Sequence, residues 1–96
     1  MSNATLYLIQ SNYASTATMI DQLEQIIADQ DQVVFLGESV LYLNDVPELS
    51  QTLKTVHILE NEIDLLAHPV ASHIQCINYA EFAELCLQYT RCVSMK

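Results

Sequence analysis

Cys76, Cys86 and Cys92 are the only thiols in this 96-residue chain, and they are its one ready chemical handle. A thiol that carries sulfur must be exposed and must ionise, as happens on mobile loops and at helix starts. Cys76 falls in the short apolar run Ile74 to Ile77, which reads as a buried strand. Cys86 falls in the apolar stripe of a closing helix. Both read as small core hydrophobes. Cys92 stands off that stripe, with Arg91 as its neighbouring cation. His68, His73 and Cys76, with His57 or an acid as fourth ligand, could form a metal set, but their spacing matches no zinc pattern. A loop leading into a strand accounts for them more simply. Glu60, Glu62 and Asp64 fit a helix start, where the macrodipole favours negative charge. Nothing in the sequence gives two of these carboxyls the contrasting environments an acid/base pair needs. The reading is therefore no catalytic residue, no cofactor site and no metal site.

Gly37 is the only glycine. A phosphate-cradling loop or dinucleotide fingerprint needs several, so that the backbone can approach its ligand closely. Both are excluded, and a Gly-x-Ser-x-Gly nucleophile elbow with them. Tyr42 and Leu43, flanked by Asn44 and Asp45, are the one pair that reads as a partner contact, since aromatics are enriched at interface cores. The same two residues fit an element packed inward. Both readings stand at this point.

Hydrophobic residues make up 51% of the chain and charged residues only 16%, against roughly 25% in typical soluble domains. A domain of this size buries roughly 60–70% of its unfolded surface, so some of that apolar content is left to cover. A partner interface is the simplest outlet. The formal charge is −9, with Lys54, Arg91 and Lys96 the only cations. Nucleic-acid binding relies on clustered Lys and Arg that release counterions, so direct contact with RNA or DNA is not expected. Anionic membranes are disfavoured by the same repulsion. No secretory signal and no apolar run of about 18 residues is seen. An odd number of cysteines fits reduced thiols in a cytoplasm better than a disulfide framework. The expectation is one soluble cytoplasmic domain over residues 1–96.

Leu6 to Ile9 and Val33 to Leu36 are continuous apolar runs, as expected of strands covered on both faces. Between them Met19, Ile20, Leu23, Ile26 and Ile27 recur at helical spacing, with Thr16 or Thr18 as cap and Asp29 to Asp31 as exit. Strand, helix, strand at this spacing predicts a right-handed parallel crossover. Ser39 to Leu43 fits a helical turn or a short strand. Pro47 to Leu53 and Asn61 to Ala67 suit short helices, and Val56 to Leu59 and Ile74 to Ile77 suit strands. The predicted architecture is α/β: a small three-layer domain with a mainly parallel, four- to five-stranded sheet flanked by helices.

The strongest local signal lies at the strand-to-helix junction after Ile77. Asn78 is a good N-cap, Glu81 stands three residues on as in a capping box, and Ile77 with Phe82 has the spacing of a hydrophobic staple. The predicted helix carries Phe82, Cys86, Tyr89 and Val93 on one stripe. Ile77, Tyr79, Phe82 and Ala83 follow an Ile/Val-x-Tyr-x-x-Phe-hydrophobic pattern, and through it the chain resembles the DsrH/TusB family of sulfur-relay subunits. The order of elements upstream is similar over nearly the whole chain. The resemblance implies a non-catalytic subunit assembled with two related α/β subunits, TusC-like and TusD-like. It implies a complex that passes persulfide sulfur toward 2-thiolation of the tRNA wobble uridine, or, for DsrH-like members, one that serves sulfur oxidation. It places the sulfur-carrying cysteine of the tRNA pathway on a partner. Two alternatives remain open: a sulfurtransferase using its own cysteine, and a generic acidic adaptor or self-associating module with no sulfur role. Expressed alone, the chain is expected to self-associate.

Overall fold

Val33, Val34 and Phe35 are all 0% exposed, the mark of a strand covered on both faces. They belong to β2 (Gln32–Phe35), the central strand of a five-stranded sheet in the computed structural model, which describes residues 4–28, 30–45, 56–66, 69 and 74–96. The other strands are β1 (Thr5–Ile9), β3 (Val56–Leu59), β4 (Ile74–Ile77) and β5 (Arg91–Met95). Their order across the sheet is β4-β3-β2-β1-β5, and all four pairings are parallel. The predicted α/β architecture is present, with five strands and no antiparallel pair among the described residues.

One face of the sheet carries the core. Tyr7, Ile9, Val33, Phe35, Val56 and Ile58 pack there against Ile20 and Leu23 of α1 (Thr16–Ile26) and Val40 and Leu43 of α2 (Glu38–Asp45). The segment that fitted either a turn of helix or a strand is therefore helix. Thr16 is the first residue of α1 rather than its cap, and its hydroxyl donates to the Asn12 carbonyl at 2.8 Å. The capping happens one step earlier: Asn12 Oδ1 accepts from the Ser15 amide at 2.9 Å and starts a 3-10 turn, Tyr13–Ser15, that runs into the helix. A 3-10 helix, Glu60–Leu65, stands where a helix over Asn61 to Ala67 was expected. The expected Pro47 to Leu53 helix lies outside the described residues.

Asp31 closes the bottom of this layer. It is 6% exposed, its Oδ1 accepts from the Thr5 amide at 2.7 Å, and its Oδ2 accepts from the Ala28 amide at 2.8 Å. One carboxylate thus joins the start of β1 to the turn between α1 and β2.

The other face is covered by α3 (Tyr79–Gln88), which carries the chain from β4 at one edge to β5 at the other. Its start matches the expectation in detail. Asn78 Oδ1 accepts from the Glu81 amide at 2.8 Å, and Glu81 Oε1 accepts from the Asn78 amide at 3.0 Å, completing the capping box. Ile77 is buried and Phe82 half-buried. Its end does not match. The helix stops at Gln88, and Arg91 to Met95 form β5 in register with Thr5 to Ile9 of β1. Val93 therefore lies on the sheet and not on the helical stripe. The cause is an unpaired edge on β1: Met95 O also accepts from the Gln10 amide at 2.8 Å, and backbone pairing there outweighs continuing a helix through Thr90, Cys92 and Val93. No residue of α3 is fully buried, which makes it the thinnest layer of the molecule.

Candidate functional site

In open α/β sheets ligands and partners meet the protein outside the carboxyl ends of the strands. Here that edge is built around Leu36-Gly37-Glu38-Ser39. Gly37 has φ +66°, and a Cβ built on it would meet nothing within 4 Å, so conformation rather than space calls for glycine. The turn is held on both sides. The Gly37 amide donates to Glu62 Oε2 at 2.9 Å, and Ser39 Oγ, wholly buried, lies 2.8 Å from Ile9 O and 2.7 Å from Leu36 O. Burial pushes the Glu62 carboxyl above the usual range, and the Gly37 amide opposes that rise. Between this turn and the 3-10 helix lies a groove of about 390 Å³ lined by Gly37, Glu38, Val40, Leu41, Asn61 and Glu62.

The outer side of α2 continues that surface. Tyr13 lies along it: its amide donates to Glu38 Oε1 at 3.1 Å, its hydroxyl donates to Asp45 Oδ2 at 2.6 Å, and its ring meets Tyr42 edge-on at 5.1 Å between centroids. The bond to Asp45 raises the Tyr13 phenol above its ordinary pKa, with a smaller rise from burial. Tyr42 and Leu43 separate here. Leu43 is 1% exposed and belongs to the core, whereas Tyr42 is only half-buried and stands beside the 37%-exposed Leu41. Sequence reasoning missed Leu41 and Tyr13. Reading 38–45 as helix would have found Leu41, because inward Val40 and Leu43 leave it on the outer side.

The thiols are spread over the molecule. Cys76 is exposed, because β4 is an edge strand and not the buried strand expected; burial and the charge of Glu60 both raise its thiol pKa. Cys86 is half-buried on α3, and burial, then the thiol of Cys92, pushes it up as well. Cys92 is exposed on β5. Residues alternate between faces along a strand, so Arg91 projects to the face opposite Cys92.

His57, considered above only as a metal ligand, sits on the α3 face of the sheet. It is 6% exposed, its Nε2 lies 2.7 Å from Gln32 Oε1, and its Nδ1 has no hydrogen-bond partner among the described residues. Burial raises the Tyr89 phenol above its ordinary pKa, and Gln32 nearby opposes that rise. Burial lowers the His57 pKa, and the charge of Glu81 works against that. Cys76 pairs in register with Ile58, one residue along from His57, and so faces the other way. His68 and His73 lie outside the described residues. Among the described residues no three His, Cys, Asp or Glu side chains converge as a metal centre, and no helix is long and apolar enough to cross a membrane.

No curated protein matches the chain. The family model described as DsrH like protein matches residues 10–92, from the turn after β1 into β5, and by that match the chain belongs to the DsrH-like family.

Proposed function

We propose that this chain is a non-catalytic subunit of a cytoplasmic sulfur-relay complex, assembled with DsrE/DsrF-like partners (TusC-like and TusD-like), that passes persulfide sulfur toward 2-thiolation of the tRNA wobble uridine. The observation that carries the reading is the family match over residues 10–92, since the DsrH-like family suggests a sulfur-relay subunit. The state of the thiols supports an accessory role. A sulfur carrier works as a thiolate, and the surroundings of Cys76 and Cys86 raise their pKa values. The charge of −9 supports contact with RNA through a partner and not through this chain. Tyr42, with Leu41 and Tyr13 beside it on the outer side of α2, is the contact we assign to a partner subunit.

The accessory role is tested in the reconstituted complex by replacing Cys76, Cys86 and Cys92 together with Ala. Sulfur transfer should continue largely unchanged. A persulfide on any of the three in the parent chain, with transfer lost on its replacement, would make this chain a sulfurtransferase in its own right.

A further inference from the structure

We propose that Cys86 and Cys92 form a modification site, at which a hydroperoxide oxidises the two thiols to an intramolecular disulfide that pins the end of α3 to the edge strand β5. The pair stands apart from the relay reading. Cys92 is in register with Leu6 of β1, and alternation with Arg91 and Val93 puts its side chain on the face that α3 covers. α3 ends at Gln88, and only Tyr89 and Thr90 separate it from β5, so the chain folds back on itself there. The Cys92 thiol stands near enough to Cys86 to add to the rise in its pKa. Because no residue of α3 is fully buried, its last turn is free to adjust toward the geometry that a bond of about 2 Å requires. Cys76 cannot compete. It lies on β4, the opposite edge, four strand spacings or roughly 19 Å away, and its side chain is on the other face.

Exposure sets the order of events. Cys92 is exposed and Cys86 half-buried, so the Cys92 thiolate meets the oxidant. Its sulfur attacks the O–O bond, takes one oxygen to become a sulfenic acid, and the other oxygen leaves as hydroxide or alkoxide. Cys86 sulfur then attacks the sulfenic sulfur. The S–S bond forms, the S–O bond breaks, and the hydroxyl leaves as water with the Cys86 proton. The two thiols supply the two electrons that reduce the peroxide.

Treating the folded, reduced chain with hydrogen peroxide and mapping its peptides tests this directly. Cleavage after Glu84 and after Arg91 places Cys76, Cys86 and Cys92 on three separate peptides, so the parent chain serves without substitution. The expected result is a Cys86–Cys92 crosslink, a mass lower by two hydrogens, one remaining alkylatable thiol at Cys76, and full reversal by dithiothreitol. C92S should leave Cys86 unbridged, and C76S should bridge as the parent does. Three free thiols after treatment, over-oxidation of Cys92 in place of a bridge, or a bridge only between molecules would each overturn the proposal.

Discussion

His57 shows what a single buried imidazole does to a small domain. Gln32 meets its Nε2, its Nδ1 has no hydrogen-bond partner among the described residues, and burial lowers its pKa. The sign of the pH effect follows from the lowered pKa. Above the unfolded value of about 6.5 both states are neutral and the fold has its full stability. As pH falls through that value the unfolded chain takes up a proton that the folded chain refuses, and stability drops until the lower folded pKa is reached. Thermal melts between pH 7.5 and pH 5.5 should therefore show a loss of stability in the parent that is smaller in His57→Gln. Equal losses in the two would place His57 outside the pH response. None of this was legible in sequence, where His57 was one polar residue in an apolar run. Asp31 was equally hidden: in Asp29-Gln30-Asp31 it looked like a solvated helix exit, and only the return of β1 beside it brings the Thr5 amide to its carboxylate.

Among the elements, α3 gives the sharpest contrast between local and distant causes. Asn78→Ala removes the cap and should cost about 0.5–2 kcal/mol, leaving the fold intact. Phe82 is half-buried, so truncating it should cost about 1–2 kcal/mol, below the ~3–5 kcal/mol of a fully buried Phe. Chemical denaturation of the two variants checks both values, and a cost near 5 kcal/mol for Phe82→Ala would mean that α3 is seated more deeply than described. The start of this helix was legible because Asn78, Glu81 and Ile77 act on their near neighbours. Its end was not, because β5 forms against an edge supplied by β1, and no pattern within residues 89–96 carries that information. The same split runs through the rest of the sheet. Buried β2 announced itself by the unbroken apolar run Val33 to Leu36, and β3 by Val56, Ile58 and Leu59 around His57, whereas the exposure of Cys76 depends on β4 lying at an edge, a property of strand order and not of sequence.

At the scale of the whole molecule, an acidic chain rich in apolar residues leaves Leu41 exposed and Tyr42 half-buried beside a groove at the carboxyl end of the sheet. Neighbours in sequence should part in their effects. Tyr42→Ala should weaken partner binding about tenfold with the melting temperature nearly unchanged, while Leu43→Ala should cost the chain itself about 2–5 kcal/mol. Binding titrations and melts of both variants read the two effects separately, and unchanged binding by Tyr42→Ala would remove α2 from the interface. Any partner that binds only the folded chain will also raise its apparent stability by mass action, so a destabilised variant should be recovered in part by co-expression. The central claim, membership of a multi-subunit relay, is tested most directly by purifying the tagged chain from its native cells at moderate salt and weighing the intact assembly by native mass spectrometry. The account predicts a stoichiometric complex containing two further small α/β subunits of the DsrE/DsrF-like kind. A chain recovered as a monomer, or assembled only with copies of itself, would contradict it.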